Sequence, residues 1–381
     1  MLRKCLVLIP LLFSLAASTH RVVVTLAYAG LAEGQAAYKR GDYVTAYKEF
    51  KPLAEKGHAE AQGFVGAMYL KGQGVRQDHA EAVKWLRMAA HQGFALAQGL
   101  LGVMYRNGEG VPQDYAEAVK WYRKAADQGF PFAQSDLGLM YRKGWGVRQD
   151  YTEAAKWTRK AAEQGDAGAQ FNIGVMYHDG EGVPQDFIQA AMWTRKAAEQ
   201  GIADAQYDLG FMYHEGEGVS KDYAEAVKWY RRAAEQGNTE AQYNLGMACL
   251  KAQGVQQDYA EAVKWFRKAA GQGHDNAQFQ LGVMYYRGWG VKQDYADAVK
   301  WTLMGADQGN ARAQFNMGVM YAKGAGVPKD SVQSYMWFDL AAGHGNPDAQ
   351  QEKEFLAAQM TSSQIAEAQR KAREWKPKAK D

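Results

Sequence analysis

Tryptophan recurs at Trp85, Trp121, Trp157, Trp193, Trp229, Trp265, Trp301 and Trp337, an interval of 36 residues that never slips. Glutamine keeps the same step from Gln62 to Gln350, and aspartate keeps it from Asp78 to Asp330. Three residue types locked in one register define a tandem array. At 381 residues a single rounded core would be near its practical ceiling. A stacked array escapes that ceiling, because each unit buries its apolar faces only against its neighbours.

The unit is clearest between Ala203 and Gly237. Ala205, Leu209, Met212 and Tyr213 fall at i, i+4, i+7 and i+8, one apolar stripe of a first helix, helix A. Gly210, in the middle of that helix, has counterparts at Gly66, Gly102, Gly138, Gly174, Gly246, Gly282 and Gly318. A mid-helix glycine costs about 1 kcal/mol relative to alanine, so its recurrence predicts a close approach of a neighbouring helix. Helix A stops at a Gly-x-Gly-Val loop, where glycine supplies a left-handed closing residue. Helix B opens at Asp222, and Glu225 three residues on makes the pair read as a capping box. Helix B carries apolar residues over more than a narrow stripe. It is therefore expected to touch its own helix A and the next unit, with the periodic tryptophans in the core.

The ends differ from this pattern. Residues 1–29 hold Arg3 and Lys4, an apolar run from Leu6 to Ala17, and the small-x-small site Ala27-Tyr28-Ala29. That is the layout of an export signal cleaved after Ala29, with retention as an anchor the other option. The run is about 12 residues against the roughly 20 needed for a span, so no integral membrane segment is expected once the signal is gone. Residues 30–57 read as an irregular capping helix pair, 58–345 as eight full units, and 346–381 as C-terminal capping helices and a tail.

The net charge of +3 comes from Arg3, Lys4 and Arg21; the rest of the chain balances 42 basic against 42 acidic residues. No basic stripe of the kind nucleic acid requires is evident. Of the two cysteines, Cys5 lies in the expected signal, which leaves Cys249 without a disulfide partner.

Two departures interrupt the repetition. The Met-Tyr position becomes Ala248-Cys249, and the first loop glycine of that unit becomes Ala252. Loss of two large groups predicts looser packing, with a bend or neutral repacking as its consequence. Trp145 and Trp289 stand at loop tips where other units have Gln, Glu or Ala. Each is either a partner contact or a ring folded onto its own hairpin.

The string A-x-AQ-x-x-LG-x-MY-x-x-G-x-GV-x-x-D-x-x-x-A-x-x-W resembles the SEL-one-like repeat family, relatives of the tetratricopeptide repeats. That resemblance implies an all-α solenoid: an α/α superhelix of about eight 36-residue helical hairpins with terminal caps. It also implies an adaptor with a concave binding surface. A cysteine-rich secreted branch of the family has been linked to β-lactam chemistry. This chain lacks the cysteines, so that activity is not carried over.

No nucleophile motif, metal motif or phosphate loop is present, and neither catalytic residues nor a cofactor is expected. His178 and His214 share one repeat position beside Asp179 and Glu215. Neighbouring helices would hold them roughly 10 Å apart, which suits an exposed polar face better than a metal site.

The candidates for binding lie along helix A. Asp136, Asn172, Asp208, Asn244, Gln280 and Asn316 share one repeat position. Their side chains either clamp an extended backbone or bond internally. Arg106, Arg142, His178 and His214, with Tyr286 and Arg287, would add specificity, and Trp145 and Trp289 would contribute at the loop tips. The expected function is an exported, periplasmic or secreted scaffold that binds a protein or peptide on its concave helix-A face. The alternative is a cell-envelope protein with hydrolase-like activity on β-lactams or peptidoglycan.

Overall fold

A computed structural model describes residues 30–378; the expected export signal, its cleavage site and Cys5 lie outside the described residues. Among the described residues all regular structure is helical. Residues 30–39 and Tyr43–Glu55 form a first helix pair, and hairpins then follow from Ala59–Lys71 with His79–His91 to Ala311–Lys323 with Ser331–Gly343. The chain forms two compact units that divide after Asp186. In each, helix A packs on helix B of its own hairpin and on helix B of the hairpin before it. Among the described residues no helix is long and apolar enough to cross a membrane.

Helix B starts where an aspartate satisfies two free N–H groups. Asp114 Oδ1 accepts from the Ala116 N–H at 2.9 Å and from the Glu117 N–H at 3.0 Å, and Asp78, Asp150, Asp222 and Asp294 repeat the arrangement. The expected reciprocal half of the capping box is not formed. The N-cap N–H is already committed across the loop, Asp114 to the Tyr105 carbonyl at 2.8 Å and Asp258 to the Cys249 carbonyl at 3.0 Å. With that donor taken, the glutamate turns to the indole one helical turn on: Glu153 to Trp157 at 3.1 Å and Glu261 to Trp265 at 2.7 Å. A complete capping box occurs at the last helix, Ser362–Glu374, between Thr361 and Gln364.

Glycine makes the two close approaches. A Cβ on Gly102 would lie 2.7 Å from the Tyr122 ring, and one on Gly246 2.7 Å from the Phe266 ring, so helix A presses on helix B as its glycine series predicts. The second loop glycine serves the neighbouring hairpin. Gly182, at φ +72°, lies so close to the start of the preceding helix B that a Cβ would sit 1.9 Å from the Tyr151 carbonyl oxygen.

The core lies between hairpins as much as within them. In the first unit Trp157 joins Val119 and Tyr122 of the preceding helix B and Leu137 and Met140 of its own helix A. In the second, Trp265 lies in the corresponding cluster with Val227, Tyr230 and Leu245. Seven of the eight periodic tryptophans are buried; Trp301 is half-buried and packs against that cluster.

The periodic glutamines from Gln62 to Gln314 are buried as well, and they link the hairpins; Gln350, the last of the series, is exposed. Gln242, 3% exposed, donates to the Ala234 carbonyl at 3.1 Å and accepts from the Gln272 amide at 2.8 Å. Gln98 repeats this with Ala90 and Gln128, and Gln278 with Ala270 and Gln308. A buried donor stripped of its partner costs about 1–3 kcal/mol. Gln242→Leu is therefore expected to destabilise the protein by about 2 kcal/mol, read as a shift of the urea midpoint. An unchanged midpoint would mean that water replaces the amide without loss.

Ala252 is the one described non-glycine residue with positive φ, at +57°. It closes helix A where other hairpins have glycine, and the left-handed region costs an alanine about 1 kcal/mol or more. Ala252→Gly should raise the unfolding free energy by about 1 kcal/mol, and thermal melting reads it directly. Nearby, Cys249 takes the tyrosine's place, 2% exposed, and burial pushes its thiol pKa up. Ala248 and Cys249 both remain in the buried cluster, and a recess of about 250 Å³ lies beside Ala248.

At the C-terminal end Asn346 Oδ1 accepts from the Asp348 and Ala349 N–H groups, and the helix Ala349–Ala357 follows. The last helix turns Ala372 into the cluster of Met336 and Trp337.

Candidate interaction face

From the third hairpin on, helix A carries a half-buried polar side chain at one repeat position, Asp136 to Asn316, where the first two hairpins have Phe64 and Leu100. The structure divides the candidates. In the first unit Arg106 bonds Asp136 of the next hairpin at 2.9 Å, and Arg142 bonds Glu181 of the next loop at 2.9 Å. Both arginines thus tie hairpins together. Burial pushes the Asp136 carboxyl above its ordinary range, against the pull of Arg106. That contribution favours the fold more at acid pH and fades as the carboxyl ionises.

His178 Nδ1 lies 2.8 Å from Asp179, and His214 Nδ1 lies 2.7 Å from Glu215. Each histidine is thus committed to the carboxylate beside it. Among the described residues no group of three His, Cys, Asp or Glu side chains could hold a metal.

Asn172 and Asp208 are half-buried in their helices. Burial is the main reason the Tyr207 and Tyr243 pKa values rise, and the Asn244 amide opposes it at Tyr207 as the Gln280 amide does at Tyr243. Asn244 and Gln280 therefore each face a tyrosine of the preceding hairpin. That geometry favours internal bonding at these two positions over an open ladder.

The loop tryptophans have partners within the chain. Trp145 stacks on Tyr115 and Trp289 on Tyr259, each with centroids 5.4 Å apart and planes 16° from parallel. Both tyrosines begin the preceding helix B, so the rings fold onto the adjacent hairpin, not their own.

Two recesses open on the helix-A side of the second unit. One of about 250 Å³ is lined by Phe211, His214, Tyr230, Tyr243, Asn244 and Ala248. The other, about 450 Å³, lies between Asp275–Arg287 and Ala311–Lys323 and is walled by Phe279, Gln280, Tyr286, Arg287, Phe315 and Asn316. The arrangement offers aromatic floors, two uncharged amides and cations at the edge, which suits an extended chain with a large apolar side chain. Phe211, Lys251 and Lys323 belong to no motif, so nothing in the sequence singles them out. The glutamines read as register marks in the sequence, although an amide at the same point of every hairpin is itself a signal.

The Sel1 repeat model matches eight consecutive segments, from residues 59–94 to residues 311–346. The chain is 35% identical to c5321, a protective antigen of uropathogenic Escherichia coli with an SLR fold. That likeness covers 92% of this chain and 84% of the other, with a TM-score of 0.63. A Sel1 repeat protein from Oxalobacter formigenes is 36% identical over 81% of this chain and 89% of its own, with a TM-score of 0.60. No curated protein matches. Sel1 repeat proteins are, as a group, protein-interaction scaffolds without catalytic activity. Eight matched repeats and two solved relatives of this similarity establish that the chain belongs to the Sel1 repeat family.

Proposed function

We propose that this Sel1 repeat protein is an exported, non-enzymatic scaffold that holds a protein or peptide partner on its helix-A face. The observation that carries the reading is the 450 Å³ recess of the second unit, where Phe279, Phe315 and Val319 lie beside the Gln280 and Asn316 amides. An apolar floor with a few polar groups at its edge is the usual form of a binding recess. Solenoids use such extended faces for partners.

A photo-crosslinking benzoylphenylalanine at Val319, inside the recess, should give a discrete covalent adduct in producing cells. The same group at Lys264, exposed on helix B, should give none. Identical products from both positions, or none from Val319, would rule the face out. Export rests on the basic start, apolar run and small-x-small site of residues 1–29. Protein recovered from the periplasm or medium should begin at Gly30; a full-length chain confined to the cytosol contradicts it.

A further inference from the structure

At one repeat position the second unit carries cations in three consecutive hairpins, whereas in the first unit Lys71 and Lys143, also exposed and without an ion pair among the described residues, are separated by Asn107. Arg106 and Arg142 are each bonded to a carboxylate of the next hairpin. Lys251, Arg287 and Lys323 occupy one repeat position in three consecutive hairpins, all exposed, and none forms an ion pair among the described residues. Lys251 lines the smaller recess; Arg287 and Lys323 line the larger. Glu215, the carboxylate of the smaller recess, is taken by His214 at 2.7 Å. The larger recess has no acid in its wall. Arg287 is also held in place: its guanidinium lies 4.7 Å from the Trp289 ring, which is itself stacked on Tyr259. A cation in the last turn complements the helix dipole. That accounts for each charge singly but not for a row of three in consecutive hairpins, two of them beside a recess with no acid in its wall.

Spacing narrows the partner. Packed helices stand about 8–10 Å apart, and an extended chain advances about 3.3–3.6 Å per residue. Three extended residues therefore span one hairpin step. We propose that the helix-A face of the second unit binds an extended acidic peptide with a carboxylate at every third residue, which meets Lys251, Arg287 and Lys323 in turn. Between two of those carboxylates a Phe or Leu side chain enters the recess of Phe279, Val283, Phe315 and Val319. This rests on the scaffold reading above and names its ligand class.

The test uses the purified protein and a fluorescein-labelled peptide of about nine residues built on the Glu-Leu-Phe triplet, whose glutamates fall one hairpin step apart. Its counterparts carry Gln or Lys in place of Glu, and a single-stranded DNA of similar length stands in for a phosphate ligand. Anisotropy should show the Glu peptide binding at least tenfold more tightly than the Gln peptide. Affinity should fall about tenfold between low and high salt, as surface charge pairing does. The triple variant Lys251→Glu, Arg287→Glu, Lys323→Glu should abolish binding, and the Lys251→Gln, Arg287→Gln, Lys323→Gln variant should weaken it about tenfold, both with unchanged circular dichroism. Equal binding of Glu and Gln peptides would overturn the acidic specificity while leaving the recess as a binding face. Tighter binding of the DNA would overturn the peptide assignment. Absence of binding by every peptide would overturn the proposal, and the Val319 crosslink then decides separately whether the scaffold reading falls with it.

Discussion

Trp265→Ala is expected to lower the unfolding free energy by about 3–5 kcal/mol, the usual range for deleting a large buried aromatic. Trp265 is 2% exposed and lies in one cluster with Tyr230 of the preceding helix B and Leu245 of its own helix A. Its indole also donates to Glu261 at 2.7 Å, so the truncation removes a bond as well as a volume. Each hairpin gains stability from its neighbours; the loss therefore weakens a junction between hairpins and not one hairpin alone. Urea unfolding followed by far-ultraviolet circular dichroism measures it. Trp145→Ala is the control, because that ring is 38% exposed and only stacks on Tyr115. Its loss should cost about 1 kcal/mol, the worth of an aromatic pair. Equal costs for the two would mean that the periodic tryptophans are not what joins the hairpins.

The architecture was legible because every hairpin solves the same packing problem with the same residue types. The Trp, Asp and mid-helix Gly positions could be assigned to core, cap and close contact from spacing alone, and the buried clusters, N-caps and short glycine approaches match those assignments. What was not legible depends on which of two available partners a side chain takes. Glu117 sits where a capping box places it, yet the Asp114 N–H it would need is bonded to the Tyr105 carbonyl. Periodicity along one hairpin says nothing of that cross-loop bond.

The candidate face was harder for the same reason. Asp136 and Arg106 are 30 residues apart and read along the sequence as two separate binding residues. In three dimensions they are one ion pair that stitches hairpins. Asn244 and Gln280 each turn out to face a tyrosine of the hairpin before. Lys251 and Lys323, by contrast, lie in the last turn of a helix, where lysine is commonplace. Lys71 and Lys143, at the same repeat position, are likewise exposed without an ion pair among the described residues, so only the recesses beside Lys251 and Lys323 set these two apart.

The second loop glycine should prove as indispensable as the tryptophan. Gly182 combines two constraints: a φ of +72°, and a Cβ position 1.9 Å from the Tyr151 carbonyl oxygen and 2.3 Å from its carbon. Backbone atoms cannot swing aside as the end of a side chain can, so an alanine there must push the loop off the preceding helix B. Gly129 separates the two effects. It has a φ of +85° with nothing within 4 Å of a Cβ, so Gly129→Ala carries only the conformational cost, about 1 kcal/mol. Gly182→Ala adds overpacking against rigid backbone and should cost about 3 kcal/mol or more. The difference between their urea midpoints isolates the contact between loop and helix. If both variants lose the same amount, the loop yields, and the Gly-x-Gly-Val segment is a helix stop that takes no part in joining one hairpin to the next.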